Sequence, residues 1–194
     1  MFTGIIEAVV KVTSLTKREN LYVLSVEKPK MFNDIKIGDS IANDGACLTV
    51  TSMSNGALSF DLMKETLDAT TLNHAKAGTR LNLERAMKAD ARLGGHFVTG
   101  HVDAVGTIKD IRTLPNYVEY RIKLQKDLMC YVVPKGSVAI DGISLTVGEV
   151  KKGWFAVYFI PHTLDVTAIG AKKVGDEVNI ETDLLAKYIL KSRG

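Results

Sequence analysis

Slide the chain along itself by 97 residues and Ser40–Glu84 falls on Ser137–Glu181 without a gap. Asp44, Gly45, Leu48, Thr49 and Val50 meet Asp141, Gly142, Leu145, Thr146 and Val147. Thr66, Leu67, Asp68 and Thr70 meet Thr163, Leu164, Asp165 and Thr167, and Gly78, Asn82 and Glu84 meet Gly175, Asn179 and Glu181. At a shift of 96, the opening F-T-G-I-I-E-A-V meets V-T-G-H-V-D-A-V at 98–105. A chain of 194 residues that repeats itself once must fold as two like domains, since a solenoid needs at least three copies. We place them at 1–96 and 97–183, related by a pseudo-twofold, with a separate tail at 184–194.

Each half reads as β. Leu21–Val26, Ser40–Ala42, Cys47–Met53, Ala57–Leu62 and Arg80–Glu84 are short, rich in Val, Leu, Ile, Thr and Phe, and bounded by Gly, Asn or Asp. Val118–Leu124, Ser137–Ile140, Ser144–Val150, Trp154–Ile160 and Glu177–Glu181 repeat them. Asn55-Gly56 and Lys152-Gly153 are hairpin signals in matching places. Short strands at this spacing predict closed antiparallel barrels. Thr66–Ala75 and Thr163–Ile169 are expected as short helical crossovers. From Asp183 to Arg193 the pattern changes: Leu184, Leu185, Tyr188 and Ile189 recur at helical spacing, which predicts an amphipathic helix that packs on a partner.

Composition narrows the function. Twenty-five basic and 22 acidic residues leave a net charge of +3, too slight for a nucleic-acid or membrane surface. No apolar run approaches the roughly 18 residues of a membrane helix, and the start lacks the basic region of a signal peptide. Cys47 and Cys130 lie far apart with no metal-ligand spacing, so free thiols, no metal and a cytoplasmic location are expected.

Candidate chemistry sits where the halves differ. Strand alternation puts Cys47 and Thr49 on one face, and Ser144 and Thr146 on the matching face. Cys47 reads either as a reactive group or as a small hydrophobe. His101 stands where the first half has Ile5, and is either structural or a proton carrier. His96 follows Gly94-Gly95, but its spacing from His101 argues against a shared metal. His74 and His162 read as loop or strand-end residues. Lys64 and Lys135 are candidates to hold an anionic or carbonyl-rich ligand. The repeated Asp-Gly and Leu-Thr-Val frame is expected to build one pocket wall twice.

M-F-T-G-I-I-E, D-G-A-C-L-T-V, F-D-L-M-K-E-T-L, G-G-H-F-V-T-G-H-V-D and I-D-G-I-S-L-T-V together resemble the riboflavin synthase family, in order, from Met1 to about Asp183. The resemblance implies an all-β fold. Two tandem six-stranded antiparallel Greek-key barrels would precede a C-terminal α-helix. It implies a homotrimer with sites between neighbouring chains. The implied reaction is a dismutation without cofactor: two molecules of 6,7-dimethyl-8-ribityllumazine exchange a four-carbon unit, giving riboflavin and 5-amino-6-ribitylamino-uracil. Two copies of one substrate then explain two copies of one domain, and prepaid orientation of reactants is worth roughly 7–11 kcal/mol in favourable cases.

Carried onto this chain, the resemblance assigns substrate contacts to Gly4, Ile5 and Ile6, to Cys47, Leu48 and Thr49, and to the stretch Asp61, Leu62, Met63, Lys64, Glu65 and Thr66, all on the first barrel. On the second it assigns Gly100, His101 and Val102, then Lys135, then Ser144, Leu145 and Thr146. Tyr158, Phe159, Ile160, Pro161, His162 and Thr163 complete that set. Main-chain groups of 61–66 and 158–163 are expected to read the pteridine edge, with Ser40, Thr49, Thr146 and Asp183 as polar partners. His101 and Ser144 are expected to assist proton transfer, with Cys47 supporting the partner site. Family members often carry a longer C-terminal helix than 184–194 supplies, which implies either a weaker trimer or a shortened chain. Three rivals stand beside this reading: a non-catalytic lumazine- or flavin-binding antenna protein, a flavin reductase barrel, and an oligonucleotide-binding barrel. The reductase would need R-x-Y-[ST], which is missing, and the third would need more charge and aromatics.

Overall fold

A computed structural model describes residues 1–54 and 56–192. Asn55 of the expected Asn55-Gly56 turn and Arg193 at the end of the expected helix lie outside them. The first barrel contains β1 (Ala8–Arg18), β2 (Leu21–Glu27), β3 (Ser40–Asn43), β4 (Ala46–Met53), β5 (Ala57–Leu62) and β6 (Arg80–Arg85). The second contains β7 (Ala104–Thr113), β8 (Val118–Lys123), β9 (Ser137–Ile140), β10 (Ile143–Lys151), β11 (Trp154–Phe159) and β12 (Glu177–Thr182). Both barrels close, the first in the order β1-β2-β5-β4-β3-β6 and the second in the equivalent order, and every strand pair is antiparallel. The tandem all-β reading therefore holds.

Alternation builds the barrels. In β4 Ala46, Leu48 and Val50 point into the core while Thr49 and Thr51 face out. Leu24, Leu58, Phe60 and Leu83 fill the first core, and Ile122, Phe155, Val157 and Ile180 the second, each fully buried. Each such side chain contributes about 1.5–3 kcal/mol on burial. Matching bulges bend the strands for closure, at Val12–Ser14 and Ile108–Asp110, and again at Val50–Ser52 and Val147–Val150. The first of these breaks the apolar alternation of β1, a strand absent from the five expected in each half.

Each expected crossover is two short pieces rather than one. Helix α1 (Lys64–Asp68) is followed by a 3₁₀ turn at Thr71–His74, and α2 (Pro161–Val166) by one at Ala168–Ala171. The final helix α3 (Leu184–Lys191) is capped by Asp183, whose carboxylate accepts the Leu185 N–H at 3.0 Å. A Lys187–Asp103 ion pair at 2.7 Å ties α3 to the second barrel. Leu185, Tyr188 and Ile189 on α3 stay exposed. Among the described residues no helix is long and apolar enough to cross a membrane.

Candidate active site

The two leading segments exchange barrels. Phe2 and Val98 form an antiparallel bridge, with the Phe2 N–H donating to Val98 O at 2.7 Å. Both are fully buried, with Ala42 and Ala139, in a small core of their own. Beyond the bridge the chain crosses over. The Ser144 N–H donates to Gly4 O at 2.8 Å, and the Cys47 N–H donates to Gly100 O at 2.9 Å. Ile6 packs on the second core and Val102 on the first. Gly4–Ile6 therefore lies on the second barrel and Gly100–Val102 on the first, the reverse of the expected grouping. The resemblance grouped them otherwise, but the bridge sends each segment across the pseudo-twofold.

Each crossed segment is clamped by a glutamate of its own barrel. Glu84 accepts the Thr3 N–H and hydroxyl at 2.7 Å each and the Gly4 N–H at 3.0 Å. Glu181 does the same for Thr99, at 2.6 and 2.7 Å, and for Gly100, at 2.9 Å. Burial lifts the Glu84 carboxyl above its ordinary value, against these hydrogen bonds. The glycines are required twice over: Gly4 and Gly100 sit at φ 77° and 83°, and a Cβ on them would lie 2.5 Å from Ser144 Cβ and 2.4 Å from Cys47 Cβ.

Two outward surfaces result. On the first, Cys47 and Thr49 share the face of β4, Ser40 pairs with Thr49, and Thr51 donates to Asp61 at 3.1 Å. Gly100 and His101 lie alongside. Met63 is exposed at the strand end, and Lys64 and Glu65 open α1, where Lys64 pairs with Asp68. On the second, Ser144 and Thr146 share the face of β10, with Gly4 and Ile5 alongside. Tyr158 and Ile160 are exposed, and Pro161, His162 and Thr163 begin α2. Lys135 adopts a left-handed φ of 65° and donates its N–H to Val147 O. Leu48, Leu62 and Phe159 point into the cores, so only their main chain is available. Leu145 packs inward as well.

Within one chain the segment that carries His101 runs beside Cys47, held by the Cys47 N–H to Gly100 O bond. The imidazole at Ser144 belongs to His96, whose Nδ1 is 2.7 Å from Ser144 Oγ. Gly95 admits it, because a Cβ there would lie 2.6 Å from Ser144 Cβ and 2.2 Å from Thr3 O. Burial holds the His96 imidazole below its ordinary value, against the pull of the Asp183 and Glu181 carboxylates. Among the described residues its buried Nε2 has no partner. A neutral imidazole bonded to a hydroxyl is an arrangement for moving a proton. Nothing in the repeat marked His96, which precedes the second copy; the doubled glycine before it was the available signal.

The Asp-Gly turns do not line these surfaces. Gly45 and Gly142 touch each other across the pseudo-twofold. Asp44 Oδ1 accepts the Asn82 N–H and Asp141 Oδ1 the Asn179 N–H, both at 2.7 Å. The Asn82 amide donates to Asp141 O at 2.9 Å, and the Asn179 amide to Asp44 O at 2.8 Å. The repeated frame is thus divided: Asp-Gly docks the barrels, and the alternate residues after it face the surfaces.

The chain matches the family described as "Lumazine binding domain" twice, over residues 3–86 and 99–183. It is 47% identical over 189 residues to a riboflavin synthase of Actinobacillus pleuropneumoniae, covering 97% of this chain and 88% of that one. It is 41% identical over 191 residues to a riboflavin synthase of Bacillus subtilis (strain 168), covering 98% and 89%. In fold it is similar to the crystal structure of LumP complexed with riboflavin, with a TM-score of 0.86, 24% identity, and coverage of 94% and 99%. By sequence along nearly its whole length, and by its paired lumazine-binding barrels, the chain belongs to the riboflavin synthase family.

Proposed function

We infer that this chain is a riboflavin synthase, a transferase that converts two 6,7-dimethyl-8-ribityllumazine molecules into riboflavin and 5-amino-6-ribitylamino-uracil. Together the two products hold all the atoms of the two substrates, so the enzyme's task is to orient them and move protons. Two like surfaces suit two like substrates. One observation carries the reading: the surfaces are alike in frame and unlike in reactive groups, with Cys47 beside the His101 segment on one and a Ser144–His96 pair on the other.

Each surface is given a role. On the second barrel, neutral His96 takes a proton through Ser144 from the acidic methyl of the bound pteridine. On the first, Cys47, Thr49 and His101 flank the other molecule. Chains assemble as a homotrimer, bringing the first barrel of one against the second barrel of its neighbour, and so His101 toward Ser144. The exposed Leu185, Tyr188 and Ile189 on α3 supply the apolar contact. Polar groups left unpaired on burial are costly, so analogues lacking the ribityl hydroxyls should bind poorly.

Purified protein given dimethyl-ribityllumazine alone should develop riboflavin fluorescence. Tight lumazine binding without riboflavin formation overturns the enzyme reading in favour of an antenna protein. Light scattering should give three chains per particle, falling to one in Leu185→Glu/Ile189→Glu.

A further inference from the structure

The two surfaces come from equivalent strands, yet their ends differ in kind. In the first barrel Thr51 and Asp61 make a hydrogen-bonded polar pair. Their repeat counterparts, 97 residues on, are Gly148 and Tyr158. The Tyr158 ring lies across Gly148 so closely that a Cβ there would sit 2.3 Å from Tyr158 Cε2. Tyr117 meets the ring edge-on, with centroids 5.5 Å apart and planes at 85°. Held on two sides, Tyr158 as a whole residue still keeps 43% of its surface exposed. Continuing the Val147–Val157 register puts Tyr158 beside Thr146, two residues from Ser144 on the outward face of β10. That step is about 7 Å along a strand.

A fixed, open phenol beside a hydroxyl row is a receptor for a flat heteroaromatic ring. Resting on the lumazine reading above, we propose that Tyr158 is a specificity-determining residue of the second barrel. Its ring stacks against the substrate's fused bicycle as that bicycle lies over Thr146 with one edge toward Ser144 and His96. Gly148 is its positioning partner, since any larger residue displaces the phenol. The first barrel has no such wall: there the Asp61–Thr51 pair presents a polar edge. One molecule is therefore bound twice by unequal means, by aromatic stacking at one surface and by polar contacts at the other. That inequality gives the two copies distinct orientations before any proton moves.

Riboflavin, a stable product carrying the same type of ring, is the probe, titrated by its fluorescence into the full-length protein. Tyr158→Ala should weaken one class of site about tenfold, the scale of a lost stacking contact. The other class should stay within about threefold of wild type. Gly148→Thr, which keeps the tyrosine in the sequence but displaces its ring, should produce the same loss, and Tyr158→Phe should hold binding within about threefold of wild type. In turnover, Tyr158→Ala should raise KM about tenfold while kcat changes less than about threefold. Wild-type binding at both classes in Tyr158→Ala and Gly148→Thr overturns the proposal and leaves the lumazine reading standing. Wild-type protein that binds no riboflavin overturns both.

Discussion

Lys172 Nζ lies 3.1 Å from a carboxylate oxygen of the fully buried Asp141, and its repeat counterpart, residue 75, is alanine. Among the described residues one paired cation, Lys172, therefore serves a seam that holds two buried aspartates, Asp44 and Asp141. Burial works against charge on Lys172, but Asp141 and Asp44 outweigh it and hold the ammonium pKa above its ordinary value. Removing one member of a buried ion pair strands the other, at a cost of about 3–5 kcal/mol. Lys172→Met should lose that much in urea denaturation at neutral pH, and Lys172→Met/Asp141→Asn should recover more than half. A loss in the single variant below about 1 kcal/mol, the size of an average substitution, would show that the seam does not depend on this charge.

Asp44 carries the opposite liability. Burial first, and then the neighbouring Asp141, push its carboxyl well above the ordinary 3.8, against Lys172 and the Asn82 N–H. The folded chain thus keeps a proton that the unfolded chain releases, so this group's contribution to stability declines as pH rises from about 3.8 through the folded value. Asp44→Asn keeps the oxygen that accepts from Asn82, tolerates the left-handed φ of 42°, and removes the titration. Its denaturation midpoint should exceed the wild-type value by a margin that widens between pH 4 and pH 7. Parallel pH profiles would refute the buried-proton account.

Gly100 and Gly4 test the crossed segments. A non-glycine residue at positive φ costs on the order of 1–3 kcal/mol from backbone strain alone. Gly38 is also at positive φ, 94°, but a Cβ there meets nothing within 4 Å. Gly38→Ala should show the strain alone, while Gly100→Ala and Gly4→Ala should lose clearly more, because Cys47 and Ser144 must move. Equal losses at all three positions, read from thermal unfolding, would mean that the contact with the opposite barrel contributes nothing.

The barrels were legible because alternation and repetition are local. β4 could be read residue by residue, and its copy β10 confirmed the reading. Helix α3 declared itself through i, i+4 spacing. The crossed segments were not legible: Thr3-Gly4 and Thr99-Gly100 were plainly repeated, but which barrel each joins depends on the Phe2–Val98 bridge, a pairing across 96 residues. The Asp-Gly turns misled for a related reason. A repeated polar turn serves a pocket or a symmetric interface equally well, and only the Asn82 and Asn179 amides reaching across decide for the interface. His96 escaped because repeat comparison finds differences only where both copies exist.

The Ser144–His96 pair supplies the sharpest test of the chemistry. General acid–base catalysis by a positioned side chain is worth about 10²–10⁴ in rate. His96→Ala should therefore lower kcat at least about a hundredfold while riboflavin binding stays within about threefold, since Gly4, Thr146 and Tyr158 are untouched. Residues that act as a unit are not additive, so Ser144→Ala/His96→Ala should be little worse than either single variant. The pH profile separates a proton carrier from a mere packing residue. Burial holds His96 below 6.5, so the neutral form that accepts a proton persists into mild acid. Wild-type kcat should fall on the acid side only below that value, and His96→Ala should lose this limb while keeping a low residual rate. A variant with full kcat, or one that keeps the wild-type acid limb, removes His96 from the proton path and leaves Ser144 to act without it.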